Sequence, residues 1–322
     1  MEEKPYVSVI VATYNREKML GECIDSLFNQ SYPFDRYEVI VINDGSADET
    51  ENLLSNYEKK AMCGYMHFRQ ENSGQTVAFN KGIENSKGDI VCITGDDCVA
   101  DKHWIETLVK GYTSKDIGGV GGVIEGIGTN SMLERYLKKN GFFSQSVGIN
   151  VTLIGGNSSF RKHVLDEVKG FDTFFRHGQD TEICIRIREL GYVFKLANDS
   201  VILHHHKETM RGVLEQCQRY ERTYVRLHKK YTKNFHPGPR LAILFDRITR
   251  KIIVTPIKFI KAPFVKDKKF YLFEHFFDFL VLSYMIRGIL TEQYFGKKYS
   301  GTKVEKKLEF IEKANMPLGW GK

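Results

Sequence analysis

Residues 7–30 read VSVIVATYNREKMLGECIDSLFNQ, an apolar run followed by a segment with a different period. Val7–Thr13 is short and rich in β-branched residues, which is typical of a buried strand. Over Glu17–Asn29 the apolar residues recur every three or four positions, which is the spacing of a helix with one buried face. The stretch therefore predicts a strand followed by a helix, the first half of a βαβ unit.

The alternation of strand-like and helix-like segments continues to residue 112. Three further apolar runs are predicted as strands: Val39–Asn43, Tyr65–Phe68 and Ile90–Thr94. Three further segments have helical spacing: Ala47–Tyr57, Gln75–Asn85 and His103–Tyr112. The first of these helices follows Ser46, with Glu49 three residues later, which indicates a capping box. Strands alternating with helices of this length predict an α/β fold, with an open, mostly parallel sheet flanked by helices.

Residues 115–200 are glycine-rich and less regular. They hold a predicted strand at Val120–Ile127, a loop at Ile154–Ser159, a helix at Thr181–Leu190, and short strands at Tyr192–Leu196 and Val201–His204. The run GGVGG at Gly118–Gly122 lacks the spacing of a dinucleotide-binding motif and is predicted to be a turn.

The character of the chain changes after residue 206, where long helices are predicted at Glu208–Tyr231, Arg240–Ile260 and Tyr271–Ile289. We predict an α/β domain over 1–206 and a basic, largely helical region over 207–322. Residues 1–200 carry 22 Lys and Arg against 29 Asp and Glu, whereas residues 201–322 carry 25 against 11. Such a basic region is typical of contact with an anionic membrane, a nucleic acid or an anionic acceptor. The aromatic helix Tyr271–Ile289 is predicted either to lie on a membrane or to pack against protein.

Several classes of protein are disfavoured. The first residues do not resemble a signal peptide, and no run of about 18 uncharged apolar residues is present. The six cysteines form no C-x-x-C pair, so a zinc or redox motif is not expected. We expect reduced thiols in a cytoplasmic protein, with peripheral attachment to the membrane as an alternative and no nucleic-acid partner. The oligomeric state stays open.

Polar residues follow the predicted strands at three places: Thr13-Tyr14-Asn15, Asn43-Asp44-Gly45 and Gly95-Asp96-Asp97. Ligands of open α/β sheets bind at the carboxyl ends of the strands. The pair Asp96-Asp97 suits Mg²⁺ or Mn²⁺, which can bridge a diphosphate, although a solvated turn before the next helix is the alternative. Asp44 has two interpretations, a turn and helix cap or an acceptor for a nucleobase N–H.

These segments together resemble glycosyltransferase family 2. The resemblance rests on VSVIVATYNREKMLGECIDSLFNQSY, YEVIVINDGSADET, ENSGQTVAFNKGIENSKGDIVCITGDDCVADKHWIETL, IGGNSSFRKHVLDEVKGFD, HGQDTEICIRIRELGY and SVILHHH, which cover about residues 1–206. It implies a GT-A fold, which is a Rossmann-like α/β architecture, and inverting, metal-assisted transfer of a sugar from a nucleotide-diphosphate donor. UDP is the commonest donor nucleotide for such a site, with GDP and dTDP open, and the implied acceptor is a glycan, a lipid-linked sugar or a polysaccharide.

The resemblance also implies roles for individual residues. Thr13, Tyr14, Asn15 and Asp44 match the contacts to the nucleotide, and Asp96 and Asp97 match the D-x-D-type motif that holds the metal and diphosphate. Asp180 matches the catalytic base. His204 matches a histidine that often completes the metal shell, with Asp97 as the implied carboxylate ligand.

The residues themselves agree with these roles at two places. Asp180 precedes a predicted helix, whose dipole would keep the carboxylate ionised, as a base requires; a helix cap is the alternative. His204 and His206 lie on one face of a predicted strand and His205 on the other. The chain departs from the family at three positions: Gly95 stands for Asp, Phe79 for Arg and Gln179 for Glu.

Two other functions remain open. A nucleotidyltransferase shares strand-end carboxylates, but would need a basic, glycine-rich loop after the first strand, where this chain has Thr13-Tyr14-Asn15-Arg16. A non-catalytic module that binds nucleotide sugars or glycans would keep the sheet without needing Asp97 and Asp180.

Overall fold

The computed structural model describes residues 4–127, 131–140, 153, 155–205, 209–232 and 236–296. The chain divides into two compact units. The first, the α/β unit, comprises Met1–Ile127 and Phe143–His206, and the second, the helical unit, comprises Gly128–Phe142 and Lys207–Lys322.

The strands of the α/β unit form one sheet. They are β1 (Val7–Thr13), β2 (Tyr37–Asn43), β3 (Gly64–Arg69), β4 (Ile90–Gly95), β5 (Cys98–Ala100), β6 (Ile117–Ile127), β7 (Ser158–Arg161) and β8 (Val193–His205). The order across the sheet is β3-β2-β1-β4-β7-β6-β8-β5. Strands β3, β2, β1 and β4 are mutually parallel, as are β6 and β8, whereas β7 and β5 run antiparallel to their neighbours. The predicted open, mostly parallel sheet is confirmed.

Helices flank this sheet and also build the second unit. In the α/β unit they are α1 (Glu17–Phe28), α2 (Thr50–Glu58), α3 (Gln75–Glu84), α4 (Trp104–Lys110), α6 (Lys162–Glu167) and α7 (Gln179–Glu189), with a 3₁₀ turn at Phe34–Arg36. In the helical unit they are α5 (Met132–Lys139), α8 (Met210–Tyr231), α9 (Gly238–Lys261) and α10 (Lys268–Phe295), with a 3₁₀ turn at Ala262–Phe264. Among the helices of the described ranges, none is both long and apolar enough to cross a membrane.

The core of the α/β unit follows from the alternation of side chains along β1. Val7, Val9 and Val11 belong to one apolar cluster with residues of α1, whereas Ile10 and Ala12 belong to a second cluster with residues of α3. Both faces of β1 are buried, so an apolar run without alternating polar residues is what its position requires. Each buried Val or Ile side chain of this strand contributes about 1.5–3 kcal/mol to folding.

The predicted capping box at Ser46 is wrong. Helix α2 begins at Thr50, and it is Asp48 whose Oδ1 accepts hydrogen bonds from the backbone N–H and hydroxyl of Thr50. Ser46 instead accepts a hydrogen bond from the backbone N–H of Asn15, at 3.0 Å. The hydroxyl is engaged by the neighbouring strand end, which the local sequence does not reveal.

Three further predictions in the glycine-rich middle are wrong. Gly118–Gly122 is not a turn but part of β6, the predicted loop to Ser159 ends inside β7, and the two short strands after residue 192 form the single strand β8. The glycines are in β6 because its neighbours lie close. A Cβ on Gly122 would lie 2.2 Å from the carbonyl oxygen of Ser200, and one on Gly119 would lie 2.8 Å from that of Ser159.

The helical unit is held by buried charges as well as by apolar contacts. Glu292 of α10 is fully buried and accepts hydrogen bonds from Arg222 and Arg226 of α8. Helix α5 packs on α10, since the ring of Tyr136 contacts that of Phe277 at 4.9 Å between centroids and its hydroxyl donates to Asp278. Helix α10 therefore contacts both α5 and α8.

Candidate functional site

The polar residues that follow β1, β2 and β4 meet at one edge of the sheet. In the parallel register Thr13 pairs with Asn43, and Ala12 pairs with Gly95. Because the three strands end at the same level, the residues that follow them become neighbours although they are about 30 to 80 positions apart in sequence. This strand-end cluster contains the predicted site residues Thr13, Asp44, Asp96 and Asp97.

Asp96 is buried and bonded within the protein. Its Oδ2 accepts a hydrogen bond from the hydroxyl of Thr13 at 2.8 Å, and its Oδ1 accepts one from Nη1 of Arg16 at 2.8 Å. Burial raises the pKa of Asp96 above its ordinary value, against the lowering effect of Arg16. Both oxygens are thus engaged, and Thr13 and Asp96 serve each other as buried partners.

Asp97 lies between Arg16 and His204. Its Oδ2 accepts a hydrogen bond from Nη1 of Arg16 at 2.7 Å, and its Oδ1 lies 3.3 Å from Nε2 of His204. The pairing of β5 with β8 sets Cys98 opposite His204, and the backbone N–H of His205 donates to the carbonyl oxygen of Asp97 at 2.9 Å. Asp97, Cys98 and His204 each offer one atom that could bind a metal: a carboxylate oxygen, the sulfur and a ring nitrogen. These three atoms lie within 4.8 Å of one another.

The chemistry of these three side chains fits a hard divalent cation. Carboxylate oxygen and imidazole nitrogen are ligands that Mn²⁺ accepts, whereas a thiolate would favour zinc. Burial raises the pKa of the Cys98 thiol well above its ordinary value, which keeps the proton on sulfur. Oδ1 of Asp97 and Nε2 of His204 are therefore the atoms suited to hold Mn²⁺ or Mg²⁺, whereas Asp96 serves as their neighbour.

Arg16 is a site residue that the sequence analysis did not single out. One guanidinium nitrogen contacts both carboxylates of the Asp96-Asp97 pair. Burial alone lowers the pKa of Arg16, but the charges of Asp96 and Asp97 outweigh it and hold that pKa above its ordinary value. The available signal was position: Arg16 follows β1 by three residues and so reaches the same edge of the sheet.

Asp44 holds the loop that leads into α3. Its Oδ1 accepts hydrogen bonds from the side chain of Gln70 and the backbone N–H of Ser73, and its Oδ2 accepts one from the N–H of Gly74, each at 2.8 Å. An open cleft of about 500 Å³ lies beside this carboxylate, lined by Gly45, Arg69, Gln70, Glu71 and Asn72. The cleft offers room for a planar base, and a nucleobase contact by Asp44 stays a prediction.

Tyr14 and Asn15 occupy the turn after β1 in different ways. Asn15 has a positive φ of 53°, and its side-chain oxygen accepts a hydrogen bond from the backbone N–H of Ala47 at 2.7 Å. Tyr14 is about half exposed, with 48% of its surface open to solvent. Asn15 thus shapes the turn, and both side chains are exposed to solvent at this edge of the sheet.

Asp180 is the second residue of α7, which begins after Gly178 with a left-handed φ of 72°. Its Oδ1 accepts a hydrogen bond from the N–H of Thr181 at 2.8 Å, and its Oδ2 accepts one from the N–H of Gly155 at 3.3 Å. Burial nevertheless raises the pKa of Asp180 above its ordinary value, despite these bonds. Burial therefore outweighs the stabilisation of the ionised form that we expected from the helix dipole, and the carboxylate is more basic than expected.

A single short loop connects Asp180 to the strand-end cluster. While Gly155 donates to Asp180, the carbonyl oxygen of the next residue, Gly156, accepts a hydrogen bond from the hydroxyl of Thr94 in β4 at 2.9 Å. A Cβ on Gly156 would lie 3.6 Å from the sulfur of Cys98. The candidate base thus belongs to the same edge of the α/β unit as Asp97.

The histidines that end β8 point to different partners. His204 faces Asp97, whereas Nε2 of His205 lies 2.9 Å from a carboxylate oxygen of Glu22 in α1. The third predicted member, His206, lies outside the described residues. Of the two described histidines, His204 is the one placed to bind a metal.

Two residues at which the chain departs from the family pattern are buried. Phe79 packs in the core against Phe171, with ring centroids 5.8 Å apart. Gln179 is buried beside Gln75 and donates to its side-chain oxygen at 3.3 Å. Phe79 therefore makes an apolar contact where the family pattern has Arg, whereas Arg16 supplies a positive charge beside Asp96 and Asp97.

Comparisons with known proteins identify the family. A family model described as "Glycosyl transferase family 2" matches residues 8–184. The chain belongs to this family.

Two curated relatives extend the likeness beyond that region. "Probable glycosyltransferase YdaM" of Bacillus subtilis (strain 168) is 27% identical over 259 residues, which are 76% of this chain and 61% of the relative. "Dolichyl N-acetyl-alpha-D-glucosaminyl phosphate 3-beta-D-2,3-diacetamido-2,3-dideoxy-beta-D-glucuronosyltransferase" of Methanococcus voltae is 25% identical over 236 residues, 67% of this chain and 71% of the relative. The chain thus spans less than two thirds of the first relative's length.

A solved structure supports the fold. It is titled "Mannosyltransferase PcManGT from Pyrobaculum calidifontis in complex with GDP-Man and Mn2+" and has a TM-score of 0.66 at 18% identity, covering 92% of this chain and 89% of the other. At this identity the likeness shows a shared GT-A fold, as predicted.

Proposed function

We propose that the chain transfers a sugar, with inversion, from a nucleotide-diphosphate sugar to a hydroxyl of a glycan, lipid-linked or polysaccharide acceptor. The observation that carries the proposal is the pairing of Asp97 Oδ1 with His204 Nε2, together with the loop that joins Asp180 to the same edge. One carboxylate and one imidazole are placed for a metal, and a second, more basic carboxylate is placed apart from them. Inverting transfer needs these two functions in separate groups.

Each group has a distinct part in this reaction. A Mn²⁺ or Mg²⁺ ion held by Asp97 and His204 would neutralise the diphosphate that leaves. Arg16 holds Asp97 in place and adds a positive charge beside the diphosphate. Asp180 takes the proton from the acceptor hydroxyl, a task for which its raised pKa suits it.

The donor is proposed from chemistry that several nucleotides share. The cleft beside Asp44 and the exposed ring of Tyr14 are suited to a base, which favours a nucleotide without deciding which one. We propose that the donor is a UDP-sugar, with GDP- and dTDP-sugars as the alternatives. The similar Pyrobaculum mannosyltransferase was solved in complex with GDP-Man, which supports including a GDP-sugar.

The acceptor is proposed to be carried at a membrane. The Methanococcus relative is named for a dolichyl phosphate sugar, and a Haloferax volcanii relative is named "Glucosyl-dolichyl phosphate glucuronosyltransferase". The excess of basic residues over 201–322 supports contact with an anionic membrane surface. These two observations together favour a lipid-linked acceptor and a peripheral location.

Asp97→Asn tests the proposal through binding. A nucleoside diphosphate at 100 times its Kd should stabilise the wild-type protein by about 2.7 kcal/mol in the presence of Mn²⁺, and the variant should lose this Mn²⁺-dependent part. Thermal melting with UDP, GDP and dTDP, each with and without Mn²⁺, measures it. Asp35→Asn is the matched control, because that carboxylate is highly exposed on a 3₁₀ turn.

The same panel separates the competing functions. An Asp97→Asn protein that keeps the full Mn²⁺-dependent shift would contradict the metal assignment. A normal shift in the wild type without any sugar transfer would favour a binding module, and release of pyrophosphate from a nucleoside triphosphate would favour a nucleotidyltransferase.

A further inference from the structure

The second half of α9 has its polar side chains on the side that packs against α10. Lys251 forms an ion pair with Asp278, and the hydroxyl of Thr255 lies 2.9 Å from Nε2 of His275. Lys258 lies over the ring of Tyr271, with its amine 4.0 Å from the ring centroid. The inward face of this helix is thus built from ammonium and hydroxyl groups.

The outward face of the same segment is apolar. Ile253, Ile257 and Ile260 are 66%, 47% and 70% exposed, and Phe264 after the helix is 88% exposed. These isoleucines are spaced by four and three positions and so form one stripe. Over the whole of α9 the buried residue is Leu244.

This arrangement is the reverse of that found in helices at the surface of water-soluble proteins. A helix on the surface of a protein in water turns its apolar face to the core and its polar face outward. Contiguous apolar patches on soluble proteins mark contact with a partner or a membrane. The outward stripe of α9 therefore indicates that its surroundings are apolar when the protein works.

The charges next to the stripe identify those surroundings. Residues 238–269 contain nine Lys and Arg against two Asp and Glu, and of these Lys251 and Lys258 face α10 on the other side. Lys261 and Lys266 are exposed at the end of the stripe and flank Phe264. Apolar side chains bordered by cations are typical of a helix that lies in the interface of an anionic membrane.

We propose that α9 is the membrane-binding element of the protein, with Ile253, Ile257, Ile260 and Phe264 immersed between lipids of an anionic bilayer and the lysines at the headgroups. Helix α10, the more aromatic segment, buries Phe277, Val281, Leu282 and Ile289 on one side, although Phe276 and Leu280 are 47% and 42% exposed. The inference rests on the proposed function, in which the acceptor is lipid-linked, and it names the surface that meets the lipid.

Vesicle flotation with the full chain tests this assignment, without donor, metal or acceptor. The variant Ile253→Gln/Ile257→Gln/Ile260→Gln should bind vesicles of phosphatidylcholine with about 30 mol% phosphatidylglycerol at least about 100-fold more weakly than the wild type, because three apolar insertions are lost. Raising the salt from about 0.1 to 0.5 M should weaken wild-type binding without abolishing it, since screening acts on the lysines and not on insertion.

The matched control is Met62→Gln/Leu190→Gln/Met210→Gln, which removes three apolar side chains exposed to 68%, 46% and 42% away from α9. It should float like the wild type. Both variants change surface positions, so their free energies of unfolding should differ from that of the wild type by no more than about 0.5 kcal/mol per site.

A label placed at one position reports insertion directly. The six native cysteines are buried, so the added thiol of Ile257→Cys is the accessible one for an environment-sensitive dye. Its emission should shift to the blue on addition of the anionic vesicles, whereas a dye at Met62→Cys should not respond.

Three results would overturn the proposal: a wild type that does not float at low salt, a triple variant that floats like the wild type, or a dye at position 257 that stays in water. A dimer in sedimentation that the triple variant abolishes, without flotation, would assign the stripe to a second copy of the chain instead. Because flotation involves no sugar transfer, its failure leaves the proposed reaction standing, and an inactive enzyme that floats leaves this inference standing.

Discussion

At Asp180 two influences on the carboxyl pKa oppose each other, and burial outweighs the hydrogen bonds. Asp180→Asn removes the base while an amide keeps nearly the same shape. We expect normal donor binding and transfer at least about 100-fold slower, which steady-state rates with donor-dependent thermal shifts would measure. Near-wild-type transfer would leave Asp180 as a helix-terminus residue and would point to another carboxylate.

The raised pKa also sets the sign of two pH effects. The base is active when ionised, so transfer by the wild type should fall as the pH drops through a value above that of an ordinary aspartate. A carboxyl whose folded-state pKa is raised stabilises the protein below its unfolded pKa, and this contribution is lost as the pH rises through the folded value. Asp180→Asn removes this pH-dependent loss of stability, but it also replaces one oxygen that accepts a hydrogen bond. The free energy of unfolding of the variant at neutral pH should therefore stay within about 1 kcal/mol of that of the wild type.

Arg16 shares one guanidinium nitrogen between Asp96 and Asp97, so Arg16→Gln leaves two adjacent carboxylates without their counter-charge. We expect the free energy of unfolding to fall by about 1–2 kcal/mol in the absence of metal. The effect is small because the Arg16 side chain is 35% exposed and solvent screens its charge. Mn²⁺ should then stabilise the variant more than it stabilises the wild type, since it supplies the missing positive charge.

Thermal melting with and without Mn²⁺ checks the Arg16 prediction. Arg36→Gln is a suitable control, because its side chain is 33% exposed and its 4.0 Å ion pair with Asp35 lies outside the strand-end cluster. Equal Mn²⁺ shifts in the Arg16 variant and the wild type would show that the guanidinium and the metal do not act on the same carboxylates.

The sequence could predict some residues of the candidate site and not others. Asp97 and His204 were predicted because each belongs to a motif, and the structure brings them together. Cys98 and Arg16 were not, because a thiol after two aspartates and an arginine after a turn are ordinary locally. Their importance comes from the pairing of β5 with β8 and from the meeting of β1 with β4, which are contacts between distant segments.

Among the elements, β6 shows how close packing constrains the chain. Gly122→Ala would place a Cβ 2.2 Å from the Ser200 carbonyl oxygen and 2.4 Å from the amide nitrogen of Asn157, which donates to the carbonyl oxygens of Val123 in β6 and Ser200 in β8. We expect the free energy of unfolding, measured with urea, to fall by about 3 kcal/mol, because the Ser200 backbone and the buried Asn157 amide must move. Gly155→Ala is the control, since its Cβ would come no nearer than 3.8 Å to another atom. Equal stability of the two variants would contradict the close fit.

The same strand explains why some elements could not be predicted. Strands β1, β2 and β4 were predicted within three residues of their ends because burial on both faces leaves an apolar run. In the first half of β6 glycine replaces that run, so the pattern predicts a strand only over Val120–Ile127, whereas β6 begins at Ile117. Asn157, which belongs to the predicted loop Ile154–Ser159, accepts a hydrogen bond from the indole N–H of Trp104 within the core.

For the whole molecule, the fold class could be predicted because its signal is local and repeated along residues 7–112. The arrangement of the basic helices could not, since a stripe of isoleucines does not say which side of its helix faces another helix. In α9 Lys251 and Lys258 face inward to Asp278 and Tyr271, whereas Ile253, Ile257 and Ile260 face outward, against the usual expectation.

The chain order of the two units has a consequence for how the protein can be divided or can have arisen. Since Gly128–Phe142 belongs to the helical unit, the polypeptide passes from one unit to the other three times. Cutting after residue 206 would leave α5 without α10 and would uncover Tyr136, whose ring packs on Phe277. The helical unit is therefore not a separable C-terminal segment. A gene fusion at the end of an ancestral enzyme would not produce it, and recombination that exchanges this unit between relatives must also transfer α5.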